Sequence, residues 1–172
     1  MEKKVLDIYS KGEYPSNILS NFYPNIFVFE GVECASMEGF LQSLKVKDIK
    51  KQEHICSLVG IKAKKKGKHR FLWKITGNVY WKGEKYKRKS SLFKDLVQRA
   101  YNSMYDQNKV FRKALLSAAD CELKHSIGKT NPRKTILTEE EFIGCLNILI
   151  AEALDEYRSQ EEAITRATTQ WT

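Results

Sequence analysis

The sequence has no hydrophobic run long enough to cross a membrane and no cysteine or histidine spacing typical of a metal site. A membrane helix needs roughly 18 or more consecutive apolar residues, and the N-terminal MEKKVLDIYS has no apolar signal-peptide core. The four cysteines (Cys34, Cys56, Cys121 and Cys145) form no CxxC pair, and the three histidines are equally scattered. We therefore expect a cytoplasmic protein with buried reduced thiols, no metal and no cofactor.

Repeats and linker-like segments are also absent from the 172 residues. We expect a single α+β domain over residues 1–157, mainly α-helical with a small β-hairpin near the N-terminus, and a loosely attached tail over 158–172. The patterns predict a hairpin around Glu30-Gly31 within 26–34, helices over 36–46 and 48–60 and from Ser91 onward, and a Thr138/Glu141 capping box before the last helix. Residues 62–70 are predicted as a loop or frayed helix, 72–81 as an irregular strand or turn, and 125–135 as a polar loop.

Acidic residues are scarce in the middle of the chain. Residues 45–94 hold 17 Lys/Arg against three acids, a net charge of +14, whereas the remainder carries −5. Such an excess attracts polyanions or phosphate-bearing ligands, although a solvated lysine-rich surface has the same composition. Aromatic residues are interleaved with these charges and either stack on bases or nucleotides or belong to the core; they are Phe71, Trp73, Tyr80, Trp81 and Tyr86.

The segment IGKTNP at 127–132 lacks the first glycine of a phosphate-binding loop. The pattern GxxxxGK[ST] requires glycine at position 123, where the chain has Leu123. This difference excludes a nucleoside triphosphatase of the P-loop type. Gly128 and Lys129 remain candidates for contacts with a ligand.

Three polar side chains share one side of the helix predicted over 36–46. Glu38, Gln42 and Lys45 are spaced four and three residues apart. Three apolar residues, Phe40, Leu41 and Leu44, are expected mostly on the opposite side, where they would anchor the helix. A carboxylate and an amine at this separation can act on one ligand as proton donor and as nucleophile or phosphate partner. A solvated polar stripe without function has the same spacing, so spacing alone does not identify an enzyme.

The stretch LSNFYPNIFVFEGVECASMEGFLQSLK, residues 19–45, resembles the opening signature of the NADAR family. That pattern combines a Ser-Asn-Phe turn, a short hairpin, and a helix carrying Glu, Gln and Lys at these offsets. The chain departs from it at Gly39, where a histidine is usual, at Leu41, where a phenylalanine is usual, and after His125, where a Trp-Gly pair and a glycine-rich stretch are missing. Weaker similarity extends to about residue 155.

This resemblance implies a NADAR-like fold and an N-glycosidase that cleaves a bond between ribose C1 and nitrogen. It implies that Glu38 is the acid/base and that Lys45 captures the opened sugar as a Schiff base. Asn21 and Gln42 would hold sugar hydroxyls or the leaving group, with Ser20 facing into the pocket and Phe22 forming its wall.

Three functions follow as hypotheses. The first is removal of ADP-ribose from modified guanine bases in nucleic acid, which the basic middle segment favours over a phosphorylated riboflavin-pathway intermediate. The second is a module that binds ADP-ribose or a nucleotide without turnover. The third is plain nucleic-acid binding through residues 62–89. The expected partner is ADP-ribosylated nucleic acid or a ribosyl-phosphate small molecule, and no membrane.

Overall fold

The computed structural model describes residues 3–68 and 70–169, in which helices alternate with short paired strands. The strands are β1 (Val5–Asp7), β2 (Phe27–Phe29), β3 (Val32–Cys34), β4 (Asn78–Trp81), β5 (Glu84–Lys87) and β6 (Glu122–Lys124). The helices are α1 (Ser16–Leu19), α2 (Met37–Ser43), α3 (Ile49–Cys56), α4 (Gly60–Lys68), α5 (Leu72–Thr76), α6 (Ser91–Gln107), α7 (Lys109–Ser117) and α8 (Glu139–Thr169). The predicted α+β class, mainly helical with small sheets, is confirmed.

The strands form three two-stranded sheets. Strands β2 and β3 pair antiparallel, as do β4 and β5, whereas β1 pairs parallel with the distant β6. Glu30 and Gly31 both adopt positive φ, 48° and 82°, which is the backbone that a two-residue hairpin turn of the right twist requires. The hairpin predicted around these two residues is therefore confirmed.

Three aromatic rings join the two hairpins to α2. The ring centroid of Phe40 lies 5.4 Å from that of Phe29 and 5.1 Å from that of Trp81, both in edge-to-face geometry. Trp81 also donates its indole N–H to Glu30 Oε2 at 2.8 Å, so its polar atom is satisfied. Trp81 is thus a core residue, and α2 is fixed to the hairpins at the centre of the fold.

The region between residues 48 and 81 differs from the prediction. Helix α3 ends at Cys56 instead of residue 60, and Gly60, with φ of +50°, begins α4 instead of ending the preceding helix. Residues predicted as a loop or frayed helix accordingly form α4, and those predicted as an irregular strand or turn form α5 followed by β4. The sequence pattern did not indicate these helix boundaries, because a glycine with positive φ can stand either at the end of one helix or at the start of the next.

The capping box before α8 is confirmed. Thr138 N donates to Glu141 Oε2 at 2.8 Å, and Glu141 N donates to Thr138 Oγ1 at 3.2 Å. Glu141 also receives both terminal nitrogens of Arg88, which is 3% exposed, in a bidentate ion pair. This contact ties the β4–β5 region to the first turn of α8.

Helix α8 continues through Thr169, beyond the predicted boundary at residue 157. The predicted tail of 158–172 stays a prediction, and residues 170–172 lie outside the described part of the chain. In the described ranges no helix is both long and apolar enough to span a bilayer. All four cysteines are free; Cys34, Cys56 and Cys145 are buried and Cys121 is half-buried.

Candidate active site

Helix α2 is positioned by contacts at its N-terminal end. Ser36 caps its first turn by accepting from Gly39 N at 3.1 Å, and the same hydroxyl donates to Leu58 O at 3.0 Å. The Glu38 N–H donates to Asn21 O at 2.9 Å, which brings the Ser-Asn-Phe turn over the helix N-terminus. The two sequence segments that raised the resemblance therefore meet directly.

Helix α2 ends at Ser43, short of the predicted end at residue 46, so Lys45 lies in the turn that follows it. A chain of hydrogen bonds nevertheless links Glu38, Gln42 and Lys45. Gln42 Nε2 donates to Glu38 Oε1 at 2.9 Å, and Gln42 Oε1 accepts from Lys45 Nζ at 2.5 Å. Glu38 is 7% exposed and Gln42 is 5% exposed, so the interpretation of a solvated polar stripe is wrong. The amide fixes the distance between the carboxyl and the amine, and leaves Glu38 Oε2 to carry a proton or meet a ligand.

Burial changes the protonation of the two ionisable ends of this chain. Desolvation raises the pKa of Glu38, against the opposing effects of the Gln42 hydrogen bond and the nearby Lys64 and Lys45. Desolvation is the main cause that lowers the pKa of Lys45 to about 8; the charge of Glu38 opposes this shift, and the positive charges of Lys74, Lys64 and Lys129 contribute to it. The site therefore favours a carboxyl that can give a proton and an amine that can be neutral near physiological pH.

These residues open into a cavity of about 580 Å³. All eight residues singled out from the sequence line it: Ser20, Asn21, Phe22, Glu38, Gln42, Lys45, Gly128 and Lys129. Leu41 lines it as well and, like Phe40 and Leu44, is buried in the hydrophobic core, as expected for the anchoring side chains of α2. The volume lies within the usual range for a small-molecule site.

The Ser-Asn-Phe turn forms one wall of the cavity. The hydroxyl of the buried Tyr101, on α6, donates to Asn21 Oδ1 at 2.7 Å, and this contact orients the Asn21 amide. Phe22 lies against the start of α4, where Lys64 Nζ stands 5.3 Å from its ring centroid. Ser20 Oγ accepts from Phe22 N at 3.3 Å and so shapes the turn.

The loop between β6 and α8 forms the opposite wall. His125 Nδ1 donates to Ile8 O at 2.6 Å, and the ring meets Phe142 edge-on at 5.1 Å. Gly128 N donates to His125 O at 2.8 Å, and a Cβ on Gly128 would lie 2.7 Å from the His125 ring. Glycine at position 128 therefore serves close packing of the loop, while the exposed Lys129 presents a charge to the cavity.

The sequence matches the family described as bacteriophage protein GP30.3 over residues 13–151. The chain belongs to this GP30.3 family. A relative in Enterobacteria phage T4, the uncharacterized 17.1 kDa protein in the Gp30-rIII intergenic region, is 40% identical over 145 residues, which cover 84% of this chain and 95% of the relative.

The fold of this GP30.3-family chain is similar to the NMR structure of the E. coli protein YbiA. The TM-score is 0.60 at 19% sequence identity, and the alignment covers 92% of this chain and 89% of the other. Together with the family match, this likeness supports the NADAR resemblance, and the chain is a divergent NADAR-like protein.

The GP30.3-family site also contains residues that were not among the eight predicted site residues. Trp73, 3% exposed, lines the cavity, and Lys45 Nζ stands 5.4 Å from its ring centroid. Lys64 and Lys74 add charge to the same wall, and both lie in the basic segment that the composition had marked. Tyr101 had no local signal, because 80 residues separate it from Asn21.

Two glycines of this site permit close approach to α2. A Cβ on Gly67, in α4, would lie 1.7 Å from Gln42 Oε1, so α4 packs directly on the central amide. A Cβ on Gly39 would lie 2.7 Å from Leu58 O and 2.8 Å from Cys56 O. The departure from the NADAR pattern at position 39 thus has a physical reason, since main-chain carbonyls occupy the space of a larger side chain.

Proposed function

We propose that the protein is an N-glycosidase that hydrolyses the bond between ribose C1 and nitrogen, and that its substrate is ADP-ribose attached to guanine bases in nucleic acid. The observation that carries the proposal is the buried Glu38–Gln42–Lys45 hydrogen-bond chain within a cavity rimmed by lysines. The NADAR-like character of the chain supports the reaction type.

The geometry suits a mechanism in which a carboxyl on α2 gives a proton and an amine in the turn after α2 captures the sugar. Glu38, with its raised pKa, gives a proton to the leaving nitrogen as the C1–N bond breaks. The Lys45 amine, with a pKa of about 8, then attacks the electron-poor C1 and returns a proton to the Glu38 carboxylate.

The covalent stage ends with water. Opening of the C1–O4 bond, with protonation of O4, converts the adduct into an iminium between Lys45 and C1. Water adds to C1, and the amine leaves, so that the sugar gains a hydroxyl and the base gains a hydrogen. The overall balance is one water consumed for each C–N bond cleaved.

The surrounding groups suit an ADP-ribosyl substrate. The cavity accepts a nucleotide-sized group by volume, and Lys64, Lys74 and Lys129 provide positive charge for its two phosphates. Because Tyr101 donates to Asn21 Oδ1, the amide of Asn21 is held in place, and its Nδ2 can donate to sugar hydroxyls. Phe22 and Trp73 supply flat apolar surface for a ring.

The deciding experiment follows release of ADP-ribose from a guanine-ADP-ribosylated oligonucleotide. We expect release by the native protein and none by Glu38→Gln, a variant that keeps the shape and the hydrogen bond to Gln42 but has no carboxyl proton. Binding of free ADP-ribose by both proteins, without release by either, would instead support the second hypothesis, a binding module. Release by Glu38→Gln at the native rate would contradict the role of the carboxyl.

The covalent step has its own test. Borohydride reduction during turnover should leave a mass adduct on the peptide that contains Lys45. Full activity of Lys45→Met, without any adduct on the native protein, would refute the Schiff base and leave direct attack of water on C1.

A further inference from the structure

A second cavity, of about 460 Å³, adjoins the candidate active site. Trp73 and Lys74, both on α5, line both cavities, so the two cavities are neighbours at this helix. The β4–β5 region and the loop before α8 complete the second cavity, with Lys87 and Arg133 among its lining residues.

Every ionisable side chain in the lining of the second cavity is a cation: Lys74, Lys87, Arg88, Lys89 and Arg133. Arg88 is compensated by its ion pair with Glu141. The other four are exposed, and among the described residues none of them is in an ion pair. Four uncompensated positive charges around one concavity fit a ligand with several negative charges.

Two buried donors in the same lining have no acceptor. Trp73 Nε1 and Arg88 Nε are buried and have no hydrogen-bond partner among the described residues. Buried N–H groups without a partner are rare in folded proteins and call for an explanation. Both residues line the second cavity, so a ligand oxygen there, reaching them through an ordered water or a small side-chain movement, would give these donors an acceptor.

An exposed aromatic residue lies beside these charges. Phe71 and Leu72 are 63% and 66% exposed, although they directly follow Arg70 and precede Trp73, both of which line the first cavity. A free phosphate or a mononucleotide bound in the pocket would not contact apolar surface outside it. The unpaired bases of a strand would, because every base presents a face that stacks on an aromatic ring.

We propose that the second cavity binds backbone phosphates of a single-stranded nucleic acid whose modified nucleotide occupies the first cavity, with a neighbouring base stacked on Phe71. The part that concerns the modified nucleotide rests on the proposed function. The binding of an unmodified strand does not, so the two are tested separately.

Fluorescence anisotropy with a labelled single-stranded oligothymidine tests the strand site without any turnover. The double variant Lys87→Gln/Lys89→Gln should weaken binding and lower the slope of log K against log salt by about 1.4, since each phosphate contact on a single strand contributes roughly 0.7. Lys109→Gln/Lys113→Gln on α7 removes the same charge from exposed positions outside both cavities and serves as the matched control.

The stacking contact is measured with Phe71→Ala. This variant should weaken binding about 5- to 100-fold, the range expected for loss of one base–aromatic stack, with an unchanged salt slope. Because Phe71, Lys87 and Lys89 are exposed, these substitutions leave the packed core intact, and circular dichroism verifies the fold.

Several results would overturn the proposal. One is equal loss of affinity in the α7 control and the cavity variant. A second is duplex binding as tight as single-strand binding, because a duplex has no unpaired base to stack on Phe71. A third is affinity independent of strand length with full competition by inorganic pyrophosphate, which would indicate a pocket for a free phosphate group.

Failure of the proposed function gives a different pattern. In that case, the native protein and Glu38→Gln bind the unmodified strand equally, and neither releases ADP-ribose. If both proposals hold, Lys87→Gln/Lys89→Gln loses release from a modified strand but keeps release from a modified mononucleotide, since only the strand needs the second cavity.

Discussion

Replacement of Gly67 by alanine should disrupt the site by displacing the side-chain amide of Gln42. The new Cβ would lie 1.7 Å from Gln42 Oε1 and 2.6 Å from Gln42 Cδ. An ordinary contact needs about 3.4 Å, so the amide must move by about 1.5 Å or more. A shift of that size breaks the Gln42 hydrogen bonds to both Glu38 and Lys45.

The cost follows from the two bonds that are lost. Each joins the amide to an ionisable partner, and such hydrogen bonds contribute about 1.5–3 kcal/mol each. The higher helix propensity of alanine compared with glycine offsets at most about 1 kcal/mol of this loss. We therefore expect Gly67→Ala to lower the free energy of unfolding by about 2–5 kcal/mol, and to reduce ADP-ribose release at least tenfold because the carboxyl and amine lose their fixed separation.

Urea unfolding followed by tryptophan fluorescence measures the first effect, and the release assay measures the second. Gly144→Ala is the matched control, because it makes the same change within α8 where a Cβ would meet nothing within 4 Å. The control should raise the free energy of unfolding by about 0.5–1 kcal/mol and leave release unchanged. Native stability and native release in Gly67→Ala would refute the packing of α4 on Gln42.

Three further predictions concern other parts of the site. Gly39→His, which introduces the residue usual in the NADAR pattern, should destabilise the fold by several kcal/mol in urea unfolding, because the carbonyls of Leu58 and Cys56 already lie within 2.8 Å of the added Cβ; native stability would contradict that packing. Tyr101→Phe should raise KM for the modified strand and lower stability by about 1 kcal/mol, since Asn21 Oδ1 loses its donor, and an unchanged KM would count against a role for Asn21. Because burial lowers the pKa of Lys45 to about 8, the neutral amine is depleted tenfold per unit below that pH, so borohydride trapping should fall on acidification and level off above pH 9; a flat yield between pH 6 and pH 9 would exclude the amine as nucleophile.

Sequence patterns were sufficient to predict features formed by residues close together in the sequence. The offsets of Glu38, Gln42 and Lys45 predicted a shared helix side, and the side chains are joined in that order. The capping box of Thr138 and Glu141 was equally predictable from the sequence, because both partners lie within one helical turn. Local geometry decides such features, and local geometry is what a short pattern encodes.

Features made by chain segments that meet in space were not predictable in this way. Gly67 looked like one member of a lysine-rich loop, yet its missing side chain makes room for Gln42. The Tyr101–Asn21 hydrogen bond and the buried Arg88–Glu141 ion pair each join residues far apart in sequence. Burial also decided the electrostatics, since the spacing of Glu38 and Lys45 carries no information on how far each is removed from water.

The lowered pKa of Lys45 has a consequence for selective chemical labelling. At pH 7.5 an amine with a pKa of about 8 is neutral in roughly one molecule in four, about two hundred times the fraction of an ordinary exposed lysine with a pKa near 10.4. An aromatic aldehyde that carries a phosphate would therefore form its imine on Lys45 in preference to the many lysines of the surface, drawn into the cavity by the charges of Lys64, Lys74 and Lys129. Such a compound is a starting point for a covalent label of the Lys45 site.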